Sequence, residues 1–541
     1  MINSILLLYS FWFLRISKHV LFWLYLWQLK EYHVGRFLDH FNTYKGKKLI
    51  FNPLLISKII LVVLFLLSDK TFSYLSYILL LLYSAEFIFF LRAIFVKTAK
   101  TPKITFKTIF LTVVSFIVLI LFLLFTFFLF KDILWASISL LVFDILTPLI
   151  ISLVVLLFQP FFVFLRNRVL VKAKKKIRGF KNLTVIGITG SYGKTSTKEF
   201  LTTILSKKFK TLSTKNHQNS EIGIANCILN YLKPEHEIFV VEMGSYNKGG
   251  IKLLCDMVGP KIGIVTGVNE QHLALFGSLK NLLSAEGGIE LAASLPKDGL
   301  LVLNGENKYC LDLYKKDNFS VVERKKIYSI NRDKISSDIW TEDITVAKDY
   351  ISFLTINTER ELAHFQVNVL GKHNIQNILA AVLVAKELGM DFEEIARASN
   401  DIRQEQAGMI LKKGQRNINI IDSSYSSNPD GVIADLDYLS IFPNKRVIVM
   451  PCLIELGDKS EEIHKKLGEK IGKTCDIAII TTKDRFEDIK MGAMKVGMKG
   501  KSIVLYENSK DIYSMIMLFC KEGDTILLEG RVPGSLIKML I

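Results

Sequence analysis

Gly187-Ile-Thr-Gly-Ser-Tyr-Gly-Lys-Thr-Ser-Thr-Lys-Glu199 decides how the rest of this chain reads. Ahead of it, Leu183-Thr-Val-Ile is a short apolar, β-branched run with the character of a strand. Behind it, Phe200-Leu-Thr-Thr-Ile-Leu opens a helix. Strand, glycine-rich turn and helix N-terminus together wrap phosphates, because backbone N–H groups converge on the turn and the helix dipole adds positive potential. Gly190, Ser191, Gly193, Lys194, Thr195 and Ser196 are the candidate nucleotide-binding residues. Lys194 would reach the β- and γ-phosphates and the Thr195 hydroxyl would hold Mg²⁺. Five residues separate Gly187 from Gly193, where the common phosphate loop has four.

Upstream, the chain changes character. Half of the 541 residues are hydrophobic and 37 are Phe. The excess lies almost wholly before residue 166. Five candidate membrane spans stand there: Ile5–Leu29, Ile50–Leu67, Phe72–Leu91, Ile109–Phe130 and Ile133–Leu156. Each is about 20 residues, the length that crosses a hydrocarbon core as helix. The first carries Arg15, Lys18 and His19 mid-run and also suits an interfacial helix. Pro148 and Pro160 predict that the last span kinks or ends. Lys58, Glu86 and Asp144 fall in or near spans, with Lys58 able to snorkel and the two acids able to pair between helices.

The net charge of +18 suggests nucleic acid, but its placement argues against that partner. Lys30–Lys48, Arg92–Lys107 and Arg166–Lys181 together hold 16 of the 18 net charges, and all three flank apolar runs. The loops at Asp69-Lys70 and Lys131-Asp132 are neutral. Basic loops stay in the cytoplasm. The chain is therefore expected in the cytoplasmic membrane, N-terminus outside, with residue 166 onward in the cytoplasm. The six cysteines include no Cys-x-x-Cys pair and suit a reduced compartment.

From Leu183 the pattern alternates short β-rich runs with helical periodicity, which predicts α/β architecture with a mainly parallel sheet. The candidate strands are Thr184–Ile188, Ile238–Glu242, Ile262–Thr266, Leu300–Leu303, Ile418–Ile421, Arg446–Met450, Ile477–Thr481 and Thr525–Glu529, with a β-rich edge or insertion over Ile327–Val369. Gly371–Leu388 is a helix. The expected organisation is a membrane region to 165, a basic juxtamembrane linker over 166–182, a central ATP-binding domain over 183–402, and a Rossmann-like C-terminal domain over 403–541.

Several chemistry-bearing segments follow the loop in order. Val240-Val-Glu-Met-Gly244 ends a strand with a carboxylate, a natural Mg²⁺ ligand. Thr266–Ser278 offers Asn269 and His272, and Glu286 lies fourteen residues past His272. Gly371-Lys-His-Asn-Ile-Gln-Asn377, Ile421-Asp-Ser-Ser-Tyr-Ser-Ser-Asn-Pro429 and Ile454-Glu-Leu-Gly457 complete the set. The bland readings are a strand-end histidine for His272, a surface acid for Glu242, a cap or turn acid for Asp422 and a helix cap for Glu455.

On these motifs, over about residues 183–541, the chain resembles the Mur ligases, ATP-dependent amide-bond ligases of peptidoglycan precursor synthesis, and among them the D-alanyl-D-alanine-adding MurF branch. The family loop has this five-residue spacing. Asn219-Ser-Glu-Ile-Gly223, His272-Leu-x-x-Phe-Gly-Ser, His373-Asn-x-x-Asn, Ser424-Tyr-x-x-Asn-Pro and Glu455-Leu-Gly are further matches in the same order. The resemblance implies ATP and Mg²⁺, an acyl-phosphate intermediate, and attack by the amine of an amino acid or dipeptide. It assigns catalysis to Lys194, Glu242, His272 and Asp422. It assigns metal binding to Thr195, Glu242, His272 and Glu286, and adenine-side contacts to Asn374 and Asn377.

Four departures stand out. Glu286 occupies the place of a family lysine that is carbamoylated. Gly408-Met409 replaces a Gly-Arg pair, and Glu529-Gly-Arg531 replaces Lys-Gly-Ser. The apolar helices stand where the family has a UDP-sugar-binding domain, so the expected precursor is UDP-linked or lipid-linked, with membrane lipid as a further partner. The alternatives are a polyglutamate- or cyanophycin-type extender and a catalytically silent membrane scaffold.

Overall fold

The structure is a computed structural model that describes residues 2–67, 74–96, 99–130, 132–215, 218–315, 322–332, 336–425 and 427–541, without the side chains of residues 2–5 and 74. Asp69, Lys70, Phe72, Lys131 and Ser426, which figure in the expectations above, lie outside these. The chain divides into two units, Met1–Asn167 and Arg168–Ile541.

The first unit is helical. Its long helices are Ile2–Leu29, Pro53–Leu67, Tyr74–Phe95, Phe106–Leu129 and Ile133–Ile177. By length and apolarity, four described segments could cross a membrane: Tyr44–Leu67, Leu75–Phe95, Phe106–Leu129 and Ile133–Ile177. Helix Ile2–Leu29 is not among them, so the expected five become four. That helix instead packs inward. Trp12, Ile16, Val20, Leu24 and Trp27 form a buried stripe at helical spacing. Its Arg15 reaches Glu86 and Asp144, while Lys58 pairs with Glu86 at 2.8 Å and with Asp144 at 2.9 Å. Lys58 is 3% exposed and does not snorkel. Two cations and two anions thus neutralise one another inside an apolar bundle, where an unpaired charge would be costly.

Pro148 and Pro160 do not end the last helix, which runs unbroken for 45 residues. Its final turns belong to the second unit and occupy much of the expected linker. There Leu170, Ala173 and Ile177 are buried in the core of the central domain. Lys176 donates to the Leu229 carbonyl at 2.9 Å.

In the second unit the central sheet has nine strands: β1 (Thr184–Thr189), β2 (Thr211–Ser213), β3 (Ile238–Glu242), β4 (Ile262–Val265), β5 (Leu300–Asn304), β6 (Arg324–Tyr328), β7 (Ile339–Val346), β8 (Ile351–Asn357) and β9 (Leu362–Val367). Their order is β2-β3-β1-β4-β5-β6-β7-β8-β9. Strands β1 to β6 pair in parallel, and β7, β8 and β9 form an antiparallel meander. Strand alternation splits β1 between two cores. Ile186 and Ile188 pack with Phe200, Leu201 and Ile378, and Val185 packs with Ile224, Ile228 and Leu254 on the other side.

The C-terminal domain has β10 (Ile410–Lys413), β11 (Asn419–Ser423), β12 (Arg446–Met450), β13 (Ile477–Ile480), β14 (Ile503–Leu505) and β15 (Thr525–Glu529). The order is β10-β11-β15-β12-β13-β14, with only the β10–β11 pair antiparallel. The mainly parallel α/β expectation and all eight candidate strands are present. In such sheets ligands gather beyond the carboxyl ends of strands where the order reverses, which here is β1 between β3 and β4.

Candidate active site

The turn after β1 needs its glycines. Gly190 has φ +141°, and a Cβ there would stand 2.2 Å from Thr266 Oγ1. Gly193 has φ +74°, and its Cβ would stand 2.5 Å from Asn377 Oδ1. The turn is pinned from β4, since Ser191 N–H donates to the Gly267 carbonyl at 2.8 Å. Helix Lys194–Leu205 starts directly at the lysine. The Lys194 ammonium donates to the Gly190 carbonyl across the turn. Ser196 Oγ donates to the Ala407 carbonyl at 3.3 Å.

Two acidic nodes hang from this loop, each through one hydroxyl. In the first, Thr195 Oγ1 donates to Glu242 Oε2 at 3.1 Å. Lys198 Nζ donates to the same oxygen at 3.3 Å and Asn219 Nδ2 to Oε1 at 3.0 Å. Glu242 is 1% exposed, so it is no surface acid. In the second node, Ser191 Oγ donates to Glu286 Oε2 at 2.8 Å, and Glu286 Oε1 lies 3.1 Å from His272 Nδ1. Burial alone would raise the Glu286 carboxyl, but His272, Lys194 and the Ser191 hydroxyl outweigh it and hold it below the usual carboxylate range.

Thr195, Glu242, His272 and Glu286 were the expected metal-binding residues, with Glu242 and His272 on one Mg²⁺. The structure instead distributes them over the two nodes. Among the described residues, no group of three or more His, Cys, Asp or Glu stands ready for a metal ion. Mg²⁺ does not require one. It is usually held by one or two carboxylates together with substrate phosphates and water. Thr195 and Glu242 supply hard oxygens beside a glycine cradle that any Cβ would fill, so this chain's residues fit Mg²⁺–ATP.

Asn374 and Asn377 sit behind the loop. Asn374 is fully buried and donates to the Leu370 carbonyl at 2.8 Å. Asn377 donates to Asn374 at 3.0 Å and accepts from Thr197 at 3.3 Å. In this arrangement they buttress Gly193 from behind the loop. Asp422 ends β11 and is tied to its own domain, by Lys412 Nζ at 2.8 Å and Ser424 Oγ at 2.6 Å. Burial would raise its carboxyl, but Lys412 and Ser424 keep it lowered.

Sequence reasoning missed how the C-terminal domain seats on the segment around His272. Asn269 Nδ2 donates to Asn428 Oδ1 and to Asp430 Oδ2, both at 2.9 Å. Glu455 Oε2 lies 3.7 Å from His272 Nε2. The motifs holding Asn269, Asn428 and Glu455 were visible, but not their pairing.

Two family models match this chain. Residues 188–385 match the Mur ligase middle domain, and residues 409–532 match the Mur ligase glutamate ligase domain. The chain belongs to the Mur ligase family. Mur ligases use ATP and Mg²⁺. This Mur ligase is 30% identical over 285 residues to the UDP-N-acetylmuramoyl-tripeptide–D-alanyl-D-alanine ligase of Escherichia coli K12, covering 53% of this chain and 61% of that one. It is 27% identical over 363 residues to the same-named ligase of Bacillus subtilis 168, covering 66% and 76%. Among solved structures, MurF from Acinetobacter baumannii aligns with a TM-score of 0.61 at 22% identity, over 69% of this chain and 80% of that one. MurF from Thermotoga maritima, in complex with ADP, aligns at 0.58 and 22%, over 69% and 83%. The structural likeness carries the fold; the family rests on the sequence matches.

Proposed function

We propose that this Mur ligase is an ATP-dependent amide ligase of cell-wall peptide assembly, MurF-like in its reaction, joining a precursor carboxylate to the amine of an amino acid or dipeptide. The observation that carries this is the pairing of Thr195 with the buried Glu242 on a Gly190–Gly193 cradle, within a chain whose relatives bear the name of that ligase.

Bound Mg²⁺–ATP would supply the γ-phosphoryl group that activates the carboxylate. The protein's share is positioning and charge stabilisation. Loop N–H groups and Lys194 hold the transferring phosphate, and Thr195 and Glu242 would hold the Mg²⁺. Glu286 fixes the His272 ring through Nδ1, as a carboxylate beside a ligand histidine does. The substrate carboxylate oxygen bonds to phosphorus while the bond to ADP breaks. The amine then bonds to the acyl carbon, phosphate leaves, and the amine sheds a proton. Asp422 is the candidate acid on the C-terminal side.

The four long apolar helices, with the basic segments Lys30–Lys48, Arg92–Lys107 and Arg166–Lys181 all falling on one side of a four-span topology, support membrane integration with the ligase domains in the cytoplasm. That placement favours a lipid-linked acceptor, while the relatives' names favour a UDP-linked one. The test offers the purified full chain ATP, D-alanyl-D-alanine and either UDP- or polyprenyl-linked muropeptide, and measures ADP and amide product. Product from the lipid-linked acceptor alone supports the membrane reading. Exclusive use of the soluble acceptor removes it, and no amine-dependent product from either removes the ligase assignment. Alkaline carbonate extraction of membranes tests integration separately.

A further inference from the structure

Glu455 stands in a left-handed backbone conformation, φ +68°, and so does His272, φ +68°. Such a conformation is disfavoured for a residue with a Cβ, whereas glycine adopts it freely. Here the side chain is a glutamate, 9% exposed, and its Oε2 approaches His272 Nε2 at 3.7 Å. The other ring nitrogen, Nδ1, is already engaged by Glu286 at 3.1 Å. His272 therefore has a carboxylate at each nitrogen, one from its own domain and one from the C-terminal domain.

The segment bearing His272 is fastened along its length by the same partner domain. Asn269 binds Asn428 and Asp430 at 2.9 Å. Gln271 Nε2 donates to the Ile454 carbonyl at 3.4 Å, and Ala274 N–H donates to the Glu455 carbonyl at 3.1 Å. The backbone of Glu455 is thus held by Ala274 and its carboxylate is delivered to His272 by one turn. A residue serving the turn alone would be expected as glycine, as Gly457 is two positions later at φ +57°.

We infer that Glu455 is a positioning residue for ligation, which sets the His272 ring only when the C-terminal domain is seated on the central domain. Resting on the ligase reading above, this makes the docked arrangement a condition for reaction and leaves nucleotide capture to the loop. Glu286 sets the ring plane through Nδ1, and Glu455 sets the direction in which Nε2 faces.

The experiment compares the full chain with Glu455→Gly and Glu455→Gln. Glycine relieves the backbone cost, so its melting temperature should equal or exceed that of the wild type. A purely structural residue would then leave turnover intact. The expected result is a kcat lower by about 10–100-fold in both variants, in the range seen when a group supporting a ligand histidine is removed. ADP affinity and the KM for ATP should stay within about twofold. Full turnover in Glu455→Gly overturns the inference while the ligase reading stands. Equal loss of ADP affinity and turnover also overturns it, since the residue would then act through the nucleotide site. A wild type with no ligation overturns both.

Discussion

The Ser191 hydroxyl donates to Glu286 at 2.8 Å across 95 residues of sequence, tying the phosphate loop to the carboxylate that orients His272. Any shift of the loop is therefore felt at the histidine. Glu286→Gln keeps the shape but removes the charge, and kcat should fall about 10–100-fold with ADP binding retained. Because Glu286 is itself a carboxylate, ligation by the wild type should proceed equally in CO₂-free and bicarbonate-containing buffer. A bicarbonate requirement would show that a modified lysine elsewhere serves the site.

Lys194→Ala should lower kcat by about 10²–10³-fold, the usual loss when one donor to a developing anion is removed. Steady-state ADP release with saturating acceptor and amine measures it. A near-normal rate would transfer the role to another cation, Lys198 being the nearest candidate through Glu242.

Gly193→Ala forces a Cβ to within 2.5 Å of Asn377 Oδ1 at φ +74°. The backbone cost alone is about 1–2 kcal/mol, and Asn377 must also move. Nucleotide affinity should fall at least about tenfold, since loop N–H direction depends on this residue. Calorimetric titration with ADP reads the change.

Glu529, at the end of β15, is 1% exposed. Burial first, and then the adjacent Asp435 carboxylate, push its carboxyl well above the usual range, which favours the protonated form in the folded chain. Unfolded, it would ionise near pH ~4.3. Above that pH the folded state binds the extra proton, so this contribution to stability is fully present at low pH and is lost as pH rises toward the raised value. Glu529→Gln should therefore raise the melting temperature at pH 8 and change it less at pH 5. A uniform decrease at both would refute the protonated state.

The Arg15, Lys58, Glu86 and Asp144 network makes a paired prediction. Lys58→Leu leaves an uncompensated buried carboxylate and should cost about 3–5 kcal/mol. The double variant Lys58→Leu with Glu86→Leu restores neutrality and should recover most of the loss. Melting in detergent distinguishes them, and additive losses would mean the charges do not act as a unit.

Local pattern carried much of this fold. Strands β1, β3, β4, β5, β12, β13 and β15 are buried parallel strands, and short apolar runs rich in Val, Ile and Leu mark them. Most of β6 falls ahead of the expected β-rich stretch, and the three wholly unread strands, β2, β10 and β14, lie at sheet edges. They are three or four residues long and largely half-exposed, so no apolar run singles them out. Arg15 read as a flaw in a membrane span because its partners lie on other helices. The motif shows the Asn374 and Asn377 amides but not the Leu370 carbonyl and Thr197 hydroxyl they meet in the fold.

By itself the sequence determined the phosphate loop, the two-domain ligase behind it and the apolar helices ahead of it, since backbone conformation and burial leave periodic, local marks. Only the tertiary structure decided which groups meet. Ser191 with Glu286, Thr195 with Glu242, and Glu455 with His272 are joined by chain crossovers that bring distant strand ends together. A polar contact between such residues depends on distances of a few tenths of an ångström, for which linear spacing holds no record.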